Sequence, residues 1–350
     1  MYNVHPIAPK RLPELLKRMP KAELHIHIEG SLEPELIFKL SKKNNIPIPY
    51  ENVEALRSAY AFNNLQSFLD IYYAGASVLI TEDDFYEMAH AYFLKAAQDH
   101  VVHAELFFDP QTHTVRGVPM QAIIHGLSRA CKEAEQTLGI TTCLILCFLR
   151  HLSEEDALKT LEEAMPFKNY LVGVGLDSGE VGNPPEKFSK VFAKCKALGL
   201  KLVAHAGEEG PPSYIWSALD VLGVQRIDHG VQCIKDPELI NRLRLERTPL
   251  TVCPLSNLKL KVFPSLADHN IAKLLAEGLC VTINSDDPAY FGGYIYENFL
   301  QTFEALGLGA KEAYAFAHNS FEASFMTTSE KEKRYHELKV CFESFVEHDA

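Results

Sequence analysis

Metal-ligating side chains stand at the ends of three strand-like segments that lie far apart in the chain. His25 and His27 alternate with isoleucine in the first segment, His205 ends the second, and Asp286 follows the third. Residues two apart in a strand project from the same face, so His25 and His27 point together. Three imidazoles and one carboxylate make a mixed nitrogen and oxygen ligand set, which suits zinc better than magnesium or calcium.

Each of these motifs also has an ordinary structural explanation. Taken alone, a His-x-His pair is more often two exposed or hydrogen-bonded histidines. Asp286 and Asp287 before Pro288 equally resemble a common turn. The second segment changes the balance, because an apolar strand ends there in His205 and is followed by Ala206 and a glycine. Together the three segments predict a single hydrolytic metal site.

Three further side chains are candidates for moving protons at this site. Gly207 permits an abrupt turn, which would place Glu208 over the metal as a proton carrier and not as a ligand. His229 ends another strand-like segment and is surplus to a tetrahedral set, so we expect it to orient or deprotonate the attacking water. Asp287 would act as a base or as an acceptor for the substrate. The alternatives are a solvated loop carboxylate for Glu208 and a histidine bonded to backbone for His229.

The number of metal ions follows from a residue that the chain lacks. Binuclear barrel hydrolases need a bridging acid, often a modified lysine at the end of the fourth strand. The fourth strand-like segment here ends in Leu-Asp-Ser-Gly-Glu, at 176–180, without a lysine. We therefore expect one Zn²⁺ per chain. Other chemistries lack their motifs, since the sequence has no G-x-G-x-x-G, no G-x-S-x-G and no H-x-E with P-C-x-x-C.

The elements that must position these residues alternate between strands and helices along the chain. Short apolar or β-branched runs are separated by amphipathic stretches, which predicts repeated βα units. The strand-like runs cover 22–28, 101–108, 141–149, 171–176, 201–206, 226–229, 249–254 and 280–285. Eight is the strand number of a TIM-type (β/α)8 barrel, which carries its chemistry at the carboxyl ends of its strands.

The predicted barrel has extra helices in two places. The interval 31–100 is too long for one crossover and is expected to hold several helices, the first with Ser31 as N-cap and Pro34 in its first turn. The segments 295–306, 310–325 and 328–346 are predicted to be C-terminal helices. Without a repeat or a low-complexity linker, the chain is expected to form one metal-dependent hydrolase domain over 1–350.

Composition excludes several classes of partner. The chain has 350 residues and a formal net charge of −12, which argues against nucleic acid because phosphate contacts need clustered Lys and Arg. Its 8 cysteines are scattered without a C-x-x-C pair, so we expect a reduced, cytoplasmic setting. The first residues lack the apolar core of a signal peptide, and no run approaches 18 apolar residues. A soluble protein without a membrane partner is expected, and its oligomeric state is not predicted.

At this point the chain closely resembles the adenosine/adenine deaminase family of the amidohydrolase superfamily. The resemblance spans positions 21–292 and is carried by KAELHIHIEGSLEPEL, LVAHAGEEG, RIDHG, TVCPLSN and NSDDPAYFG. It implies a TIM-type barrel with one zinc that removes the purine 6-amino group by hydrolysis. It also implies that Glu208 is the proton donor, that the backbone of Gly179 contacts purine N3, and that His229 and Asp287 activate water or orient the substrate. The metal ligands that the resemblance implies are His25, His27, His205 and Asp286.

Within this family the motif around Glu29 bears on the choice between base and nucleoside. Adenosine deaminases typically read HxHLDG, with an aspartate that reaches the ribose, whereas this chain reads HIHIEG. The longer carboxylate of Glu29 resembles the adenine branch and predicts a substrate contact that favours free adenine, giving hypoxanthine and ammonia in purine salvage. Gly179 stands where that branch is expected to have serine, which leaves N6-substituted adenines open beside adenosine. A catalytically silent, purine-binding zinc barrel is the alternative from another class.

Overall fold

The computed structural model describes residues 7–62 and 65–346. This part of the chain forms eight parallel strands that follow one another around a single sheet in sequence order, β1 to β8. They are Lys21–His27, Val101–Phe108, Thr141–Leu149, Leu171–Asp177, Lys201–Ala206, Arg226–His229, Leu250–Val252 and Val281–Ile283. All eight predicted strands are present within one or two residues, and the predicted TIM-type (β/α)8 barrel is confirmed.

The strands are joined and covered by seventeen α-helices among the described residues, α1 to α17. Their bounds are Leu12–Arg18, Pro34–Asn44, Val53–Ser58, Leu65–Ala76, Glu82–Gln98, Pro110–Thr114, Met120–Thr137, Glu154–Ala164, Ser189–Ala197, Pro212–Ser217, Pro237–Glu246, Pro254–Lys259, Ile271–Ala276, Pro288–Phe291, Ile295–Leu306, Ala310–Ala323 and Thr328–Val346. Four of them, α2 to α5, fill the long interval between β1 and β2, and α15 to α17 follow the last strand, as predicted. None of the described helices is long and apolar enough to cross a membrane.

The start of α2 differs from its prediction. The helix begins at Pro34 with Glu33 in the N-cap position, and Glu33 makes no side-chain cap bond. Ser31 belongs instead to a 3-10 turn, Ile28–Ser31, in which its hydroxyl donates to the carbonyl of Ile28 at 2.7 Å. The prediction of Ser31 as N-cap was wrong, because the turn after β1 uses the hydroxyl first.

The last strand meets the first through loop atoms as well as backbone. Only a single bridge pairs them, in which His27 N donates to Asp286 O at 3.0 Å and Asp286 N donates to His25 O at 3.1 Å. Below it, the side chain of Asn284 accepts from Leu24 N at 2.9 Å. The barrel therefore closes at the site itself, and this closure fixes Asp286 against the two histidines of β1.

A buried ion pair fills the barrel beneath the strand ends. Arg226 and Glu105 are both fully buried, and Nη1 of Arg226 donates to the Glu105 carboxylate at 2.5 Å. Burial alone would raise the pKa of Glu105, but the guanidinium holds it at about 2. A second nitrogen of Arg226 lies 3.6 Å from Asp228, which connects this pair to the side chains above it.

Candidate metal-dependent active site

The four predicted ligands meet at the carboxyl ends of β1, β5 and β8. His25 Nε2 and His27 Nε2 each lie 3.4 Å from Asp286 Oδ1, and His27 Nε2 lies 3.2 Å from His205 Nε2. His25, His205, Asp286 and His229 also hold potential ligand atoms within 4.8 Å of one another. The sequence reasoning therefore selected the side chains that converge, and His229 joins them at the edge of the cluster.

These donors fit one divalent cation. Ligands at about 2.0–2.2 Å from a tetrahedral zinc ion stand roughly 3.3–3.6 Å apart, close to the separations in this cluster. Nδ1 of His25 faces the carbonyl and hydroxyl oxygens of Thr251, at 3.2 and 3.0 Å, so its proton lies on Nδ1 and Nε2 carries the lone pair. That buried Nε2 has no hydrogen-bond partner among the described residues. A cation bound by this nitrogen and by the donor atoms of the other three side chains would give the His25 lone pair a partner.

The pKa shifts of His205 and Asp286 favour the forms of these two side chains that bind a metal. Burial and the neighbouring imidazoles lower the pKa of His205 well below its usual value, which keeps it neutral. Burial opposes ionisation of Asp286, but the adjacent His25 holds the pKa of that carboxyl well below its usual range. A neutral imidazole and an ionised carboxylate are the forms that bind a metal.

Backbone conformation aims two of these side chains inward. His229 has a φ of 63° and Asp286 a φ of 65°, both in the left-handed region that residues with a Cβ rarely adopt. Each such residue costs about 1–2 kcal/mol. Strain of this kind is retained where the surrounding structure imposes it, which is common at functional sites. The turns after β6 and β8 are thus less stable than relaxed turns, but they direct the His229 imidazole and the Asp286 carboxylate into the site.

A second layer of side chains orients the ligands. Asp228 lies 3.6 Å from Nδ1 of His205 and accepts from the Thr251 hydroxyl at 2.8 Å. Asp177 lies 3.4 Å from Nδ1 of His27. A carboxylate behind a ligating histidine fixes the tautomer and the ring orientation. The sequence reasoning missed Asp228 and Asp177, although both stand in the RIDHG and LDSGE segments that it singled out.

Glu208 lies over the cluster, as the turn at Gly207 predicted. Gly207 has a φ of 71°, and a Cβ at this position would come within 2.4 Å of the Ile215 side chain. One oxygen of Glu208 lies 3.6 Å from His229 Nε2. Burial, reinforced by the charge of Asp286, raises the pKa of Glu208 well above its usual value. A buried carboxyl group that stays protonated at neutral pH is suited to donate a proton.

Glu180 holds the loop that carries Glu208, and sequence reasoning missed it. Its two carboxylate oxygens accept from four consecutive backbone N–H groups of residues 207–210, at 2.6, 3.1, 2.9 and 2.8 Å. Glu180 is 1% exposed, and a Cβ on Gly210 would lie 2.7 Å from its carboxylate. The loop therefore closes around this side chain, and the position of Glu208 depends on it.

Glu180→Gln should lower kcat about 10–100-fold while the bound metal stays at the wild-type level. Glutamine has one acceptor oxygen, so in either orientation its amide nitrogen faces at least one loop N–H that then has no acceptor. The loop and Glu208 should therefore shift. Small misplacements of a catalytic group cost up to about 100-fold. Steady-state kinetics and metal analysis of the purified variant measure both quantities. Glu186→Gln, an exposed carboxylate of the same connection, is the matched control; equal losses in both variants would contradict the role of Glu180.

The protonation of His229 follows from a chain of hydrogen bonds. Ile271 N donates to Nδ1 of His269 at 3.1 Å, so the proton of that ring is on Nε2, which donates to Asn257 Oδ1 at 3.2 Å. The Asn257 amide nitrogen therefore donates to Nδ1 of His229 at 3.3 Å. Burial and His25 lower the pKa of His229 to about 3, so the ring is neutral and carries its proton on Nε2. Asn257 lies in the TVCPLSN segment, whose role sequence reasoning did not identify.

Asp287 lies beside Asp286 and faces the turn after β1. A Cβ on Gly30 would come within 1.9 Å of its Oδ1, so only glycine allows this approach. Asp287 is buried, and its Oδ1 has no hydrogen-bond partner among the described residues. Burial and the charge of Asp286 raise its pKa well above the usual value, so the ionised form of Asp287 is a stronger base than an exposed carboxylate. A cation bound beside it would favour that ionised form.

Glu29 lies one layer behind the place that the sequence reasoning gave it. Its Oε1 accepts from Nε2 of His113 at 2.8 Å and from Asp109 N at 3.2 Å. It is fully enclosed, and the residues that line the cavity above the metal cluster include Asp109 but not Glu29. The predicted direct contact between Glu29 and substrate stays a prediction, and His113, 84 positions away, holds this carboxylate in the wall of the cavity.

The cavity over the cluster has a polar floor and an aromatic roof. The floor contains three of the four predicted ligands, His27, His205 and Asp286, together with Glu208 and Asp287. The roof comes from α4, with Phe291 beside it. Gly179 is not among the lining residues, whereas its neighbour Ser178 is. The Gly179 carbonyl accepts from Asn183 at 3.0 Å, and a Cβ there would meet nothing within 4 Å. The contact predicted between Gly179 and purine N3 stays a prediction. The roof side chains are Leu65, Phe68, Leu69, Tyr72 and Tyr73.

Comparisons with known proteins show which proteins this chain resembles. A family model described as adenosine deaminase matches residues 20–340. An adenine deaminase from Trichlorobacter lovleyi is 64% identical over 342 residues, which cover 97% of this chain and 98% of that protein. The crystal structure of an adenine deaminase from Arthrobacter aurescens has a TM-score of 0.91 and 49% identity, and the match covers 92% of this chain and 98% of that one. An amidohydrolase from Burkhoderia ambifaria with bound Zn has a TM-score of 0.88 and 25% identity, covering 96% and 94%.

Proposed function

Because the chain belongs to the adenosine deaminase family of the amidohydrolase superfamily, we propose that it is a zinc-dependent adenine deaminase. The reaction is hydrolysis of the 6-amino group of adenine to give hypoxanthine and ammonia. The observation that carries this proposal is the convergence of four ligands with two buried, protonatable carboxyl groups in one cavity. A structural metal site needs ligands only, so Glu208 and Asp287 favour catalysis over a silent purine-binding barrel.

The ligand set proposed for zinc is His25, His27, His205 and Asp286. When bound, zinc supplies a Lewis acid that lowers the pKa of a water molecule toward roughly 7. The fit rests on three imidazoles and one carboxylate with separations of 3.2–3.4 Å. One ion per chain is proposed because the fourth strand ends without a lysine to bridge a second.

The remaining side chains divide the proton transfers. Asp287, with its free acceptor oxygen, takes the proton of the attacking water. His229, which carries its proton on Nε2 and faces Asp286 and Glu208 at 3.6 Å, donates a hydrogen bond that orients the oxygen. Glu208 donates its proton to N1 as water adds to C6 of the purine. As the tetrahedral centre collapses, the C6–N6 bond breaks and ammonia leaves with the proton from Asp287. The proton of the C6 hydroxyl returns to Glu208 as the C6=O bond forms.

Adenine is proposed over adenosine because side chains already fill the wall of the cavity where a ribose would have to bind. Glu29, which aligns with the ribose-binding aspartate of the resemblance, is bonded to His113 and the backbone of Asp109. Relatives described as adenine deaminases are 59–64% identical to this chain, which supports the same choice. Soluble, cytoplasmic purine metabolism is the setting proposed with this substrate.

The zinc-loaded protein should release ammonia from adenine with a kcat/KM at least about 1,000-fold above that for adenosine, because a ribose would press against a wall in which Glu29 is already bonded to His113 and to the backbone of Asp109. Loss of the adenine absorbance, with ammonia measured separately, gives both values. N6-methyladenine, pterins and cytosine extend the panel. Comparable rates for adenine and adenosine would reject the free base as the preferred substrate. A metal-replete protein inert to the whole panel would indicate the purine-binding alternative.

A further inference from the structure

Two buried carboxylates line the cavity without a role in the proposed proton transfers. Asp109 and Asp177 are 3% and 1% exposed, and both line the space above the metal cluster. Asp109 Oδ1 and both oxygens of Asp177 have no hydrogen-bond partner among the described residues. An unpaired buried acceptor is costly, so these oxygens point to a ligand that supplies donors.

A second cation is the first explanation to consider, since His27, Asp109 and Asp177 hold potential ligand atoms within 4.8 Å of one another. Nε2 of His27 already faces His205 and Asp286. Its other nitrogen, Nδ1, therefore carries the proton and directs it at Asp177, 3.4 Å away. A protonated nitrogen cannot ligate a metal, so Asp177 serves to orient His27 and the set has no third ligand.

That assignment leaves Asp109, which lines the cavity, with an acceptor oxygen, Oδ1, that has no partner among the described residues. The carboxylate and the backbone of Asp109 are each held by a hydrogen bond. Its other oxygen accepts from the Tyr72 hydroxyl of α4 at 3.2 Å, and its backbone N–H donates to Glu29 at 3.2 Å. Glu29 is fixed in turn by His113 at 2.8 Å, and His113 by Arg116 at 2.8 Å. An acceptor held in place in this way can recognise a hydrogen-bond donor at a fixed position on its ligand.

Adenine and adenosine differ in one donor of this kind. The five-membered ring of the free base carries an N–H that glycosylation at N9 removes. We propose that Asp109 accepts a hydrogen bond from this ring N–H and is the specificity-determining residue for the free base, with Tyr72 and Glu29 as its positioning residues. The inference rests on the proposed function and names the group through which that function selects its substrate.

Two analogues of equal shape test this without adding bulk. The first, 4-aminopyrrolo[2,3-d]pyrimidine, has an N–H where adenine has N9, and 4-aminofuro[2,3-d]pyrimidine has an ether oxygen there. Their inhibition constants against adenine turnover by the zinc-loaded wild-type protein should favour the N–H compound at least about 100-fold, because the furan oxygen would face Asp109 as a second acceptor. Equal inhibition by the two compounds would overturn the proposal without any variant.

Substitutions then test whether Asp109 causes the preference for the N–H compound over the furan compound. Asp109→Asn should reduce it to less than about tenfold and lower kcat/KM for adenine about 100-fold at unchanged zinc content. Tyr72→Phe should reduce it by about two- to tenfold, and Tyr73→Phe, whose hydroxyl faces Ser178 at 3.2 Å, should leave the ratio unchanged. A ratio preserved in Asp109→Asn would overturn the proposal. Absence of adenine turnover in the wild-type protein would instead reject the proposed function, whereas turnover without N–H preference rejects only the role of Asp109.

Discussion

Glu208→Gln is expected to lower kcat for adenine by about 100- to 10,000-fold and to leave the metal content unchanged, the range typical of a lost general acid. Glutamine keeps the size and the hydrogen-bonding capacity of the side chain but cannot release a proton. Glu208 touches His229 at 3.6 Å and is not needed to complete the ligand set. Steady-state kinetics with metal analysis of the same preparation measures the two effects together.

The pH profile gives the same prediction a second readout. Because burial raises the pKa of Glu208, the protonated form that donates is present at neutral pH and is lost as the pH rises through that raised value. Activity of the wild-type protein should therefore fall on the alkaline side, and Glu208→Gln should lack this limb in its residual activity. Glu209→Gln is the control, because Glu209 is the exposed neighbour on the same loop. Loss of zinc in Glu208→Gln would show that Glu208 is a ligand after all.

Removal of a ligand should abolish both metal binding and turnover. In His205→Ala or Asp286→Ala, the three remaining donors bind zinc more weakly by several orders of magnitude, and activity falls below detection because the attacking water is no longer acidified. Metal analysis after dialysis, together with adenine turnover, measures the effect. Circular dichroism verifies that the barrel is intact.

A buried histidine outside the site provides the matched comparison. His103 lies at the start of β2, where it contacts Thr141 at 2.8 Å and Glu105 at 3.2 Å. His103→Gln should retain one zinc and most of its activity. A ligand variant that keeps stoichiometric zinc would contradict the proposed set, and His229 would be the first substitute to test, since it lies 3.6 Å from Asp286.

Local sequence signals were sufficient for the barrel and for most of the cluster. The strands were predictable because each is a short, largely apolar run, and parallel strands in a barrel bring the residues at their carboxyl ends together. His25, His27, His205 and Asp286 followed from that geometry. Glu208 followed from a single conformational argument, the turn at Gly207.

Residues whose roles depend on distant partners were not predictable in this way. Glu180 accepts from a loop that begins 27 positions later, and nothing in its own segment indicates this. The direction of Glu29 is set by His113, and the tautomer of His229 is set through Asn257 by His269. Such contacts arise from the tertiary fold, so the sequence placed these side chains near the site without indicating which way they point.

Titration of the metal-free protein with zinc, while adenine turnover is followed in the ultraviolet, tests the central claim most directly. Four ligands around one ion and no lysine on the fourth strand predict that activity rises linearly and stops rising at one zinc per chain, with hypoxanthine and ammonia formed in equal amounts. A plateau at two zinc ions per chain, or a fully loaded protein that leaves adenine unchanged, would contradict it.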